Sequence, residues 1–222
     1  MKHTEKKLLA LKEEISKMWR LVLSQLEKCK QAYLTGDINL AREILSNEKL
    51  VNTFELKIEN KCENYIALFS PVAVDLRLVL SIIKISSTLE RIGDFANGIA
   101  QHIISDGCSP LSDTLKEMLK IETMFDTVIS MLSDSFVMLE SESTKLSGRI
   151  MQKDEQVDML YRKAISILAA YLEKHPTDGR CTLETMLVIR KIERIGDHCS
   201  NIVEDIVFYM DAKILRHNKN KE

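Results

Sequence analysis

One five-residue word, written twice, constrains this chain more than anything else in it. Glu-Arg-Ile-Gly-Asp occupies 90–94 and returns at 193–197, an offset of 103 in a chain of 222 residues. Asp75 and Arg77 have counterparts at the same offset in Asp178 and Arg180. Seven residues held in register across half a chain mark a duplicated structural unit. Each half is therefore expected to fold alike and to carry the word at the same place.

The repeated unit reads as helical. Only seven Gly and three Pro occur, so breakers are scarce, and apolar residues recur at three and four, as in Ile82, Ile85, Leu89, Ile92 and Ala96. Breaks divide the chain into six long segments. The first, about 5–34, ends at Thr35-Gly36-Asp37, where Gly36 suits a helix end and Asp37 the next helix's cap. The second reaches about 69, with Ser70 as cap and Pro71 in the first turn of the third. The third runs to Ser105, and Asp106-Gly107-Cys108-Ser109-Pro110 separates the halves. The fourth covers about 112–140, and Ser141-Glu142-Ser143 offers a cap for the fifth, which holds Gly148 inside a helix. The fifth reaches about 174, Pro176 to Gly179 turn the chain, and the sixth covers about 181–213. Long segments on short turns predict an all-α fold of six long helices in two tandem, pseudo-symmetric three-helix bundles, residues 1–108 and 109–222.

Composition narrows the function classes. A net charge of -2 and pI near 6.3 give no basic excess for a nucleic-acid partner. The N-terminus alternates charge with leucine, unlike a signal peptide. The most apolar stretch, 72–89, is interrupted by Asp75, Arg77 and Lys84, short of the roughly 18 to 20 apolar residues of a membrane span. Five widely spaced cysteines without a Cys-x-x-Cys pair read as small buried hydrophobes in a reducing compartment. The expectation is a cytoplasmic protein.

The chemistry lies in acidic stripes. Glu90 and Asp94 sit one helical turn apart, followed by Asn97 and Gln101; the second copy offers Glu193, Asp197, Asn201 and Glu204. Like charges at this spacing weaken a helix unless Arg91 and Arg194, or a hard cation taking oxygen ligands, compensate. The second helix of the first half adds Glu48, Asn52, Glu55 and Glu59; the fifth segment adds Asp154 and Asp158. Aligned by their acids, these put Asn52 opposite Asp158, and Glu55 opposite Tyr161, so the two sites would differ in charge. The candidate metal ligands are thus Glu48, Asn52, Glu55, Glu90, Asp94, Asp154, Asp158, Glu193, Asp197 and Asn201. Solvated ion pairs are the plainer reading of such acids, but duplication argues against it. So do Gly93 and Gly196, each inside a helix at a cost of about 1 kcal/mol relative to Ala. They allow either close helix packing or access for a ligand.

Other signals are weaker. His3, His102, His175, His198 and His217 are isolated, and His198, beside a motif, points away from Asp197's face. Arg77 and Arg180 could meet an anion, although an Asp two residues earlier favours ion pairing. There is no Glu-x-x-His, Gly-rich phosphate loop, zincin motif or nucleophile elbow. No nucleophile or base is assignable, and no enzyme is expected.

The stretches SPVAVDLRLVLSIIKISSTLERIGDFANGIA and LVIRKIERIGDHCSNIVEDIVFYM, with the terminal YMDAKILRH, resemble the PhoU family over essentially the whole chain. The resemblance implies two three-helix bundles whose acidic motifs hold a metal cation, an iron or zinc cluster, or in other members magnesium or manganese. It implies a cytoplasmic negative regulator of phosphate uptake and phosphate-starvation signalling. Its partners would be a phosphate-sensing histidine kinase and the ATPase of the phosphate ABC transporter, with membrane association only through them. A homodimer fits this reading. Two alternatives from other classes are a purely structural helical interaction module without metal, and a carboxylate-bundle metal store or metalloenzyme.

Overall fold

A computed structural model describes residues 3–105 and 112–212. It contains α1 (His3–Thr35), α2 (Ile38–Phe69), α3 (Ala73–Ile104), α4 (Asp113–Leu119), α5 (Ile121–Glu140), α6 (Ser147–Lys174), a 3-10 turn (Pro176–Asp178) and α7 (Gly179–Asp211). Among the described residues there is no strand, and no helix is long and apolar enough to cross a membrane. Helices α1 to α3 form the first bundle and α5 to α7 the second. They join where α3 packs against α7 and α1 against α5. The separator at 106–110, the boundary at 108/109, Cys108, His217 and the end beyond 212 lie outside the described residues.

The breaks follow local chemistry. Gly36 takes the left-handed conformation that a helix end requires, φ 72°. Asp37 then caps α2 by accepting from the backbone N–H groups of Asn39 and Leu40. Elsewhere the predicted caps move. Ser70 ends α2 in a left-handed conformation, so it is not the cap of α3, which begins at Ala73 behind an uncapped Val72. The fourth segment is two helices, because Lys120 turns left-handed at φ 53° between α4 and α5. Ser141 to Ser143 form a turn, and α6 starts one turn later behind Leu146. Gly148 does fall inside α6.

The core is continuous through both bundles. Trp19 of α1 is wholly buried, packs its ring at a tilt against Phe136 and donates its indole N–H to the Leu132 carbonyl of α5 at 3.1 Å. Cys29, Cys62 and Cys199 are buried thiols, raised by that burial. Cys181 differs from the expectation, being disulfide-bonded. Arg77 donates to the Tyr209 carbonyl near the end of α7, and Arg180 pairs with Glu184 at 2.8 Å rather than with Asp178.

Candidate functional site

In the second bundle, α6 carries Asp154 and Asp158 one turn apart, and α7 carries Asp197 opposite them. A carboxylate oxygen from each lies within 4.8 Å of the others. Asp154 is buried and the other two are half-buried. Glu193, one turn before Asp197, has its carboxyl pushed up by burial, then by Asp197 and Asp158, against the pull of Arg194 and Arg190. Gly196 explains how the helices come so close. A Cβ there would stand 3.2 Å from Asp154 Oδ1, so the absent side chain is the space into which the buried acid projects.

The first bundle repeats this with a change of cast. Burial raises Glu90 to about 7, helped by Asp94 and Glu55 and opposed by Arg91. Glu90 therefore faces Asp94 and Glu55, as Glu193 faces Asp197 and Asp158. Glu55 and Asp158 are 103 apart, the same offset as the repeated word. The alignment that set Asn52 opposite Asp158, and Tyr161 opposite Glu55, is corrected by one helical turn. Its error was to match acid with acid, whereas the helices repeat without insertion.

In the corrected register Val51 stands where the second half has Asp154. The glycines report the swap directly. A Cβ on Gly93 would meet Val51 Cγ1 at 3.4 Å and Gln25 Oε1 at 3.6 Å; on Gly196 it would meet Asp154 and Val128. Gln25 and Val128 are again 103 apart. The polar atom beside the glycine comes from α6 in one bundle and from α1 in the other. Gln25 is 1 % exposed; its Nε2 donates to the Ile44 carbonyl at 3.4 Å, and its Oε1 has no hydrogen-bond partner. Asn52, half-buried on α2, also keeps an unpartnered Oδ1. A buried oxygen without a donor is costly unless something occupies it. Sequence reasoning missed Gln25, although a lone amide among Trp19, Val22, Leu26 and Cys29 was its signal.

Among the described His, Cys, Asp and Glu residues, the second bundle alone brings three donors within 4.8 Å. Glu55, Glu90 and Asp94 are neighbours electrostatically without reaching that closeness. Glu48 is half-buried on α2 and joins no such group. Asn201 is exposed and lines a cleft between α3 and α7 that Asp197 also borders. His198 is a packing residue: it is buried, stacks on Phe95 at 5.5 Å, and is held below its ordinary value by burial, then by Arg194 and Arg91.

The comparisons with known proteins agree with this architecture. The PhoU domain model matches residues 15–103 and again 121–206, once per bundle. The phosphate-specific transport system accessory protein PhoU homolog of Aquifex aeolicus is 33% identical over 217 residues, covering 98% of this chain and 97% of the relative. The Escherichia coli phosphate-specific transport system accessory protein PhoU is 31% identical over 211 residues, with 94% and 85% coverage. The crystal structure of PhoU from Pseudomonas aeruginosa superposes with a TM-score of 0.87 at 27% identity, covering 94% of this chain and 99% of that one. The phosphate transport system regulatory protein PhoU from Streptococcus pneumoniae gives 0.85 at 29%, covering 96% and 99%.

Proposed function

The chain belongs to the PhoU family, and on that premise we propose that it is a cytoplasmic, metal-binding accessory regulator of phosphate transport rather than an enzyme. The observation that carries the metal reading is the trio Asp154, Asp158 and Asp197, within 4.8 Å of one another beside a glycine. Three such carboxylates repel unless a cation shares them, and every donor is a hard oxygen. That set suits iron, manganese or magnesium better than zinc, whose sites favour Cys and His. Asp154, Asp158, Glu193 and Asp197 would hold the ion in the second bundle. Glu55, Glu90 and Asp94, with neutral Gln25 and Asn52 oxygens nearby, would hold one in the first. A bound cation supplies positive charge. The residues themselves then tie α2 to α3 and α6 to α7.

The regulatory role follows from the relatives' names, which place them in the phosphate-specific transport system. By that likeness the chain would restrain uptake by binding the transporter's ATPase and a sensor histidine kinase, touching the membrane only through them. The test is elemental analysis with pull-down of both partners, on the native protein and on a variant carrying Glu90→Gln, Asp94→Asn, Glu193→Gln and Asp197→Asn. The expected result is loss of metal together with weakened partner binding. Undiminished partner binding by the metal-free variant would leave a helical module that works without metal.

A further inference from the structure

The cleft between α3 and α7 adjoins the second bundle's carboxylate site, sharing Asp197 with it, and has a volume of about 560 Å³. Its polar walls include Lys84, Ser87, Thr88 and Arg91 from α3, and Arg194 and Ser200 from α7. The repeat explains why it is open. On the reciprocal side of the α3–α7 contact the stem of Lys191 lies over Gly98, so close that a Cβ there would meet Lys191 Cε at 2.6 Å. The offset of 103 puts Thr88 where the second half has Lys191, and Asn201 where the first has Gly98. Thr88 is short, and its hydroxyl donates back to the Lys84 carbonyl at 2.9 Å. One side is filled and the other is left as a cavity.

Its three cations and three carboxylates balance, and one of the cations, Arg91, is left without an ion pair among the described residues. Of the three bordering carboxylates, Asp205 faces Lys84 at 3.4 Å, Asp197 faces Arg194 at 3.1 Å, and Glu204 is also engaged. Arg91 is exposed to the cleft and makes no ion pair with any described residue. Ser200, only 5 % exposed, lines the same space, and its Oγ has no hydrogen-bond partner. Most helical serines return their hydroxyl to a carbonyl one turn back; this one stays unpaired and buried beneath the wall of the cleft.

We propose that this cleft binds a small anion of the phosphate class, gripped by the Arg91 guanidinium and completed by the Ser87 hydroxyl, with the unpaired Ser200 hydroxyl buried behind them. A guanidinium presents paired N–H donors that match two oxygens of such a group. The anion is either inorganic phosphate or the phosphoryl group of a small ester. The cavity falls in the range of about 300–1,000 Å³ found for small-molecule sites, so it accommodates an ester as well as the free ion.

Arg91 and Ser87 are not among the candidate metal ligands, so the anion should bind the metal-free protein, and the test is calorimetric titration of the full chain, with chelator present, at constant ionic strength. The probes are inorganic phosphate, AMP and sulfate. Expected is saturable binding of phosphate or AMP at millimolar concentration, weakened about tenfold by Arg91→Gln, which removes a charge-assisted pair. AMP binding more tightly than phosphate assigns the ester; phosphate equal or tighter assigns the free ion; sulfate matching both widens the class to tetrahedral oxyanions and overturns the phosphate assignment. Thr88→Leu fills the cavity without removing a charge and should weaken binding as much. Binding unchanged in Thr88→Leu would place the anion on the open surface and overturn the proposal. So would binding unchanged in Arg91→Gln, or no saturable binding by the native protein. Circular dichroism on each variant confirms that the helices are retained.

Discussion

Glu90 shows how much of the site's behaviour sits in single groups. Its carboxyl lies near 7, against an ordinary 4.5, because burial and then Asp94 and Glu55 oppose its charge. Between those values the folded protein holds more protons there than the unfolded chain, so metal-free stability should fall as pH rises from about 4.5 to 7. Glu90→Gln should flatten that slope and raise stability at neutral pH by about 1 kcal/mol, after allowance for solvent screening. Urea denaturation of chelated protein at pH 5 and 7.5 measures it, and an undiminished slope in the variant would contradict it. The two motif glycines should part company. Gly93→Ala meets Val51 and Gln25 at ordinary contact distances and should gain up to about 1 kcal/mol of helix propensity. Gly196→Ala presses on Asp154 Oδ1 at 3.2 Å and should lower metal content in the second bundle; thermal denaturation and elemental analysis compare the pair. The motif acids were legible because identical words recur. The exchange of Gln25 for Asp154 was not, since it moves a polar atom between helices far apart in sequence, and only the packing around the glycines reveals that both serve one place.

At the scale of elements, the six-segment plan was readable wherever a breaker's chemistry is unambiguous, as at Gly36 and Asp37. It misplaced the caps where a residue with a side chain takes the left-handed conformation. Lys120, Ser70 and Glu142 all do so, and their side chains do not announce it, because tertiary packing imposes the turn. The short α4 is the result: its Leu115 and Leu119 are buried, and Lys120 redirects the chain into α5. The contact of α1 with α5 gives this level its prediction. Trp19 fills the core between the bundles and also spends its indole N–H on the Leu132 carbonyl. Trp19→Phe should cost about 1 kcal/mol from the lost indole hydrogen bond, since the Leu132 carbonyl keeps its acceptor role within α5. Trp19→Ala should cost about 3–5 kcal/mol by leaving a cavity as well. A negligible loss from Trp19→Phe beside a full loss from Trp19→Ala, read by chemical denaturation, would show that the hydrogen bond contributes nothing beyond shape.

At the scale of the whole molecule, duplication followed by divergence sets the second bundle's Asp197 beside the seam where α3 meets α7, and it belongs to two systems there. It reaches Asp154 and Asp158 on one side and holds Arg194 at 3.1 Å on the other. A cation drawing on Asp197 would weaken its hold on Arg194, leaving a second guanidinium free to face the α3–α7 cleft beside Arg91. Metal should therefore strengthen anion binding, and by thermodynamic reciprocity the anion should strengthen metal binding by the same factor, about fivefold or more. Two titrations test this: phosphate into protein with and without manganese, and manganese into protein with and without phosphate. Asp197→Asn and Arg194→Gln should each abolish the difference while leaving Arg91 to bind the anion. Unequal factors would mean that metal and phosphate meet in solution rather than on the protein. Equal factors that survive Arg194→Gln would mean that the coupling runs through another part of the seam. Loss of coupling in both variants would make the Asp197–Arg194 pair the element through which a metal centre in one bundle senses an anion at the junction of the two.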